Sequence, residues 1–150
     1  AALPDHQPAG LDFIKITETP LLFIFPKFFP ESIVYSKGTI DWTKIPVIMP
    51  SEGLSRTRVE KWFADKDIRP YIYGQVSGNE AIMSMVSMGC GVGIVPHLVL
   101  DKSSLRNEVE ILPISPKLRP FTVGACTLVQ NKQDPVVQSF WNIAKLEMSS

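Results

Sequence analysis

The segment from Val76 to Pro96, VSGNEAIMSMVSMGCGVGIVP, constrains the fold more than any other stretch of the chain. It reads as the end of a strand (Tyr71 to Ser77), a helix opening at Gly78-Asn79, a glycine turn, a short apolar strand and a stop. Asn79 suits a helix N-cap, because its side-chain oxygen can accept a hydrogen bond from a free backbone N–H. Ile82, Met85 and Val86 then recur at helical spacing and predict a buried stripe. Gly89 stands where the chain must reverse through a positive φ, which glycine reaches without strain. Val92 to Val95 is short and wholly apolar, as a strand buried on both faces is, and Pro96 ends it. Strand, helix and strand in this order make a β-α-β unit. Such units build parallel sheets whose ligand sites lie at the carboxyl ends of the strands.

Around this unit the chain alternates strands with helices. Pro4 to Pro8 is a loop, Leu11 to Ile16 a strand, and Leu21 to Phe25 a continuous apolar strand closed by Pro26. Pro26 to Pro30 is a proline-punctuated link, and Gly38 to Lys44 a loop. Val47-Ile48-Met49 is a short strand between two prolines. Ser51-Glu52-Gly53 then leads into a helix over about 55–65, with Val59, Trp62 and Phe63 inward and Arg56, Glu60 and Lys61 outward. His97 to Asp101 fits one helical turn, and Glu108 to Leu112 and Phe121 to Val129 two further strands. In the last helix Asp134 can cap and Pro135 suits the first position. Val137, Phe140, Trp141 and Ala144 follow at i, i+3, i+4 and i+7. The flanking strands are similar to each other, which suggests two lobes joined by a pair of crossing hinge strands. With crossings at Phe25-Pro26 and Pro120-Phe121, residues 1–26 and 120–150 fall in one lobe and 27–119 in the other.

Bulk composition narrows the function classes. In 150 residues, 45% are hydrophobic and 20% charged, as in one α/β domain. Fifteen basic residues balance fifteen acidic ones, so net charge gives no support to nonspecific nucleic-acid or membrane binding. Cys90 and Cys126 lie far apart, outside any metal or redox spacing, and fit two thiols in a reducing cytosol. No apolar run is long enough to span a bilayer, and no signal peptide is visible. The first residues, Ala1-Ala2-Leu3, read as the tail of a strand, so the chain is expected to be a fragment.

No catalytic constellation emerges: there is no Gly-x-Ser-x-Gly elbow, no HExxH and no P-loop. Gly89, Gly91 and Gly93 follow a helix and open a strand, the reverse of a dinucleotide-binding loop. His6 and His97 stand apart beside prolines and read as solvated, not as a metal pair, and no cofactor is implied. Small-anion binding has better support. Two helix N-termini, near Ser51 to Ser55 and near Ser77 to Asn79, directly follow short strands. Their free N–H groups and positive dipole ends attract carboxylates, and serine hydroxyls add donors. Parallel strands would turn both toward one sheet edge. The plainer alternative is that Ser51, Ser55 and Asn79 are ordinary caps, worth about 1 kcal/mol each. Arg56 and Arg58 could add charge, although arginines on an amphipathic helix are more often solvated. Met83, Met85 and Met88 fit core packing better than an adaptable pocket.

The wording PVIMPSEGLSRTRVEKWF, followed by VSGNEAIMSMVSMGCGVGIVPHLVL, resembles the effector-binding domain of LysR-type transcriptional regulators. An apolar helix, a G-x-G turn, a short strand and a proline, here Ala81 to Pro96, are that family's hallmark. The resemblance implies a two-lobed α/β fold like periplasmic binding proteins, with an effector held in the cleft between lobes. It also implies a homo-oligomer, dimer or tetramer, that acts on promoter DNA through a helix-turn-helix this chain does not contain. Within the family the wording is most like members serving branched-chain amino-acid synthesis. For those the implied effectors are small carboxylates, acetolactate and acetohydroxybutyrate. Carried onto this chain, the second-lobe pocket draws on Ser51, Ser55, Ser77 and Asn79, with Val95 and Pro96 as a wall. The family's first lobe begins with a β-α-β-α stretch that is not in this sequence, so the first lobe is expected to be incomplete and apolar surface near Phe140 and Trp141 to be exposed. A solute-binding protein of a transporter shares the two-lobed plan and is the alternative; an enzyme on a similar scaffold is the weakest reading.

Overall fold

The computed structural model describes residues 2–29, 35–36 and 39–149. Pro30 at the end of the proline-punctuated link and Gly38 at the start of the next loop lie outside the described residues. The chain divides into two compact units, Pro20–Arg119 and Ala1–Thr19 with Pro120–Ser150.

In the larger unit, β2 (Leu21–Pro26), β5 (Pro46–Pro50), β6 (Tyr71–Val76), β7 (Val92–Pro96) and β8 (Val109–Leu112) form one five-stranded sheet in the order β6-β5-β7-β2-β8. A two-residue pair, β3 (Tyr35–Ser36) and β4 (Thr39–Ile40), forms a separate ladder. Strands β6 and β7 both run parallel to β5, as a β-α-β crossover requires. Strand β2 runs antiparallel to β7 and β8, with Leu21 opposite Pro96 and Phe23 opposite Leu112. This pairing moves the divide from residue 26, where the sequence puts it, to Thr19 and Pro20. An apolar run such as LLFIF is buried on both faces, and only hydrogen bonding to β7 and β8 decides which unit owns it.

Helices cover both faces of this sheet. On one, Ile24, Ile48 and Val95 pack against Ile82, Met83 and Val86 of α2 (Asn79–Ser87) and Leu100 of α3 (His97–Lys102). Met83 takes the buried place expected for Met85, which is partly buried at the rim of this cluster. The other face carries Phe23 beneath α1 (Gly53–Asp65), its ring centroid 5.1 Å from Trp42, 5.3 Å from Trp62 and 5.9 Å from Phe63. Tilted and edge-on contacts of this kind add to the area that the four rings bury. The Trp62 indole also donates to the Pro116 carbonyl at 2.7 Å, tying residues 115–116 to the helix. Gly89 has a φ of 86° and lets the chain leave α2 as the sequence predicts.

In the smaller unit, β1 (Leu11–Thr19) pairs antiparallel with β9 (Phe121–Leu128), Leu11 opposite Leu128 and Thr19 opposite Phe121. The register shifts between Lys15 and Thr17. Ala2 bridges to Val123, and the Leu3 amide donates to the Thr122 carbonyl at 2.8 Å. Helix α4 (Pro135–Ser149) starts as expected: the Asp134 carboxylate accepts from the Val136 amide at 2.8 Å. Of its apolar stripe, Trp141 is buried and Val137 and Ala144 are half-buried. Phe140 is 58% exposed, between Val136 at 77% and Ile143 at 59%.

Candidate functional site

The carboxyl ends of β5 and β6 lie side by side. Pro50 is opposite Val76 in the parallel ladder, and the Ser51 amide donates to the Val76 carbonyl at 2.9 Å. This bond holds Ser51 beside the start of the Ser77-Gly78 turn, so the chain leaves both strands at one place. From there it enters α1 through Glu52 and α2 through Gly78. Ser51 and Ser55 are half-buried, whereas Ser77 and Asn79 are exposed.

Neither helix start has a side-chain cap among the described residues. The expectation that Asn79 caps α2 is corrected: Asn79 is the first helical residue, and the cap position belongs to Gly78 with φ 92° and ψ 132°. Glycine takes that conformation readily and has no side chain to offer the first-turn amides. Similarly, α1 begins at Gly53, two residues before the expected start, which puts Ser55 in its first turn and Glu52 in an extended cap conformation. Both dipole ends thus leave first-turn N–H groups without a capping side chain at the same sheet edge. The one acidic group in these first turns is Glu80 of α2, and its carboxylate accepts from the Ser103 hydroxyl at 3.2 Å.

The two arginines differ from expectation in the same sense, Arg58 further than Arg56. Arg56 is not a solvated outward residue: its side chain is 23% exposed, and Nη1 donates to the Pro50 carbonyl at 3.2 Å. Its Nε donates to Glu60 at 2.7 Å, an i,i+4 pair along α1. A cation therefore stands on the last carbonyl of β5, directly beside Ser51. Arg58, also expected in solvent, is 8% exposed and donates from Nη1 to the Arg119 carbonyl at 3.1 Å. It shares an i,i+4 face with Trp62, so its stem packs inward while its head finds a backbone acceptor.

Val95 and Pro96 mark the carboxyl end of β7 at the same sheet edge, since β7 is parallel to β5. Val95 is fully buried, its side chain in the cluster with Ile24, Ile48 and Val86. Pro96 is buried opposite Leu21, and the His97 amide donates to the Pro20 carbonyl at 2.8 Å. Ser51 and the last carbonyl of β5 thus lie beside the start of the Ser77 turn, Ser55 and Asn79 stand in the first turns of the two helices that follow, and Val95 and Pro96 end β7 in the core at the same sheet edge. Arg56 is the residue that sequence reasoning passed over as solvent-facing. Its signal is positional, a cation in the second turn of a helix that starts straight after a strand.

No group of three or more His, Cys, Asp or Glu able to hold a metal occurs among the described residues. Nor is any helix among them long and apolar enough to cross a membrane.

With this geometry in hand, comparison with known proteins places the chain. Residues 2–149 match the family described as the LysR substrate binding domain. The HTH-type transcriptional activator IlvY of Haemophilus influenzae is 35% identical over 144 residues, covering 94% of this chain and 49% of the relative. The HTH-type transcriptional regulator IlvY of Escherichia coli K12 is 35% identical over 147 residues, covering 95% and 50%. The chain spans about half the length of these curated relatives. Among solved structures, the effector binding domain of QuiR in complex with shikimate superposes with a TM-score of 0.75 at 21% identity, covering 99% of this chain and 69% of that one. At that identity the likeness establishes the fold, the two-lobed periplasmic-binding-protein-like class of LysR regulatory domains. The matched family, the IlvY relatives and the fold agree: this chain belongs to the LysR substrate-binding domain family.

Proposed function

We propose that the chain is the effector-sensing part of a cytoplasmic LysR-type regulator of branched-chain amino-acid biosynthesis genes, and that its effector is a small carboxylate of the acetolactate or acetohydroxybutyrate kind. The observation that carries the reading is the pair of helix starts at the ends of β5 and β6, both without side-chain caps and joined by the Ser51–Val76 hydrogen bond. Free amides and two dipole ends favour an anion there, and the Arg56 guanidinium on the Pro50 carbonyl adds charge of the right sign. Ser51, Ser55, Ser77 and Asn79 would donate to the carboxylate and the adjacent hydroxyl and keto oxygens, with Val95 and Pro96 as the apolar backing.

The IlvY relatives support the branched-chain assignment, and the shikimate bound by QuiR is itself a small hydroxylated carboxylate. In this reading promoter DNA is contacted by a helix-turn-helix outside the present 150 residues, in a dimer or tetramer, and the chain performs no catalysis.

The test is a thermal-shift titration with acetolactate and acetohydroxybutyrate, with pyruvate and valine as controls. A ligand at about one hundred times its Kd stabilises the native state by ~2.7 kcal/mol, so a saturable rise in Tm is expected. Ser51→Ala should weaken it about fivefold, the scale of one hydrogen bond. If neither acid raises Tm at millimolar concentration, the effector assignment fails and the family assignment stands.

A further inference from the structure

A glutamate in the first turn of a helix ordinarily turns toward the free amides there, because the positive dipole end attracts it. Glu80 does not. No side chain caps α2, and bonding along the helix begins with the Ile82 amide, which donates to the Gly78 carbonyl at 3.2 Å. The amides of Asn79, Glu80 and Ala81 lie ahead of it and have no acceptor among the described residues. The Glu80 carboxylate accepts instead from the Ser103 hydroxyl at 3.2 Å, 23 residues along the chain. Ser103 closes α3, its amide donating to the Val99 carbonyl at 3.0 Å, and it is only 8% exposed. Its oxygen also accepts from the Leu105 amide at 3.2 Å, which leaves the hydroxyl proton for Glu80. Helices α2 and α3 pack on one apolar cluster, through Ile82, Met83 and Val86 on the first and Leu100 on the second. That shared packing fixes where the donor stands.

We propose that Ser103 is a positioning residue of the effector site: it draws the Glu80 carboxylate off the start of α2 and so keeps the amides there open for the carboxylate of the effector. The inference rests on the effector reading above. An acid free to swing over this first turn would accept from the same amides and repel an incoming anion. Held by a buried hydroxyl on a neighbouring element, it does neither as strongly.

Amide hydrogen exchange at residues 79–81, followed in ¹H–¹⁵N spectra of the full chain without ligand, reads the placing of Glu80. Ser103→Ala releases the carboxylate, and exchange of these amides should slow about fivefold as it accepts from them. Glu80→Asp, an exposed change one methylene shorter, loses the reach to Ser103 and should act alike. Ser103→Thr keeps the hydroxyl and should match the parent. Adding Glu80→Gln to Ser103→Ala should bring exchange back to the parent rate. An acetolactate titration reads the consequence: binding about fivefold weaker in Ser103→Ala, and restored in the double variant. A merely structural loss at Ser103 would not be rescued by a change at Glu80. Exchange unchanged in both Ser103→Ala and Glu80→Asp would overturn the proposal, as would acetolactate binding that Ser103→Ala leaves intact. If the parent binds neither acetolactate nor acetohydroxybutyrate, the effector reading fails by itself, while exchange at 79–81 still supports or overturns the placing of Glu80 by Ser103.

Discussion

The two units use the same amphipathic patterning with different results. In the larger one the α1 stripe of Val59, Trp62 and Phe63 is buried throughout, against Phe23 and Trp42. In the smaller one the α4 stripe is covered only along the Val137–Trp141 side, and Phe140, Ile143 and Leu146 remain exposed. The sheets explain the difference. Five strands present two faces and take a helix on each, whereas the β1–β9 ribbon has room for one edge of a helix. Periodicity therefore says that a helix has an apolar face, and the area of the opposing sheet says how much of it is satisfied.

The largest expected effect tests the closed half of this contrast. Phe23→Ala removes a fully buried ring that touches three others, and should cost about 3–5 kcal/mol in chemical denaturation. A loss below about 1 kcal/mol would mean the aromatic cluster is not the tight core described. Next comes the ribbon of the smaller unit. A Cβ on Gly124 would stand 2.1 Å from the Ile14 carbonyl oxygen, so Gly124→Ala must push β1 and β9 apart. The expected cost is about 1–3 kcal/mol, and a neutral outcome would show that the two strands separate freely. On the open face, Phe140→Ser should change stability by no more than about 0.5 kcal/mol while reducing any self-association seen in sedimentation. A large loss there would mean that the face is covered in solution, and the contrast between the units would disappear.

The smallest effect is electrostatic. The Asp12 carboxyl sits below the usual range, first because Lys132 hydrogen-bonds to it and then because the Phe13 amide does, at 2.8 Å. A lowered folded value means that its contribution is complete above the ordinary carboxylate range and is lost as pH falls through the lowered value. Asp12→Asn should lower stability slightly in the neutral region, where that contribution is complete, and so flatten the acid limb, the variant and parent converging at low pH. An acid limb identical to that of the parent would remove Asp12 from the account.

The β-α-β unit and the capped last helix were legible because each is written locally: Gly89 at the turn, and Asp134-Pro135 before an i, i+3, i+4 stripe. The place of β2 was not, since LLFIF would be equally well buried in either unit and its partners lie far along the chain. At the candidate site, the strand ends and helix starts could be read, but not their caps. Whether Asn79 or Gly78 takes the cap position is a matter of one residue's φ, which composition does not express. The arginines show the same limit. Arg56 and Arg58 are two residues apart on one helix, and each is anchored by a backbone carbonyl: Arg119, for Arg58, lies 61 residues along the chain, and Pro50, for Arg56, is near in sequence but is reached only through the turn from β5 into α1.

The interior position of β2, between β7 and β8, also bears on how the protein is made. Its partners Gly93 to Pro96 and Val109 to Leu112 leave the ribosome about seventy to ninety residues after it does, and synthesis runs at about 5–20 residues per second. For several seconds the nascent chain thus carries LLFIF, an apolar strand with both edges open. Only the arrival of β7 and β8 lets the middle of the sheet close. Long-range pairing of this kind slows folding, because the intervening loop must be ordered before any contact repays it. Newly made copies are therefore most vulnerable to aggregation in that interval, when crowding or delayed elongation extends the exposure of this strand.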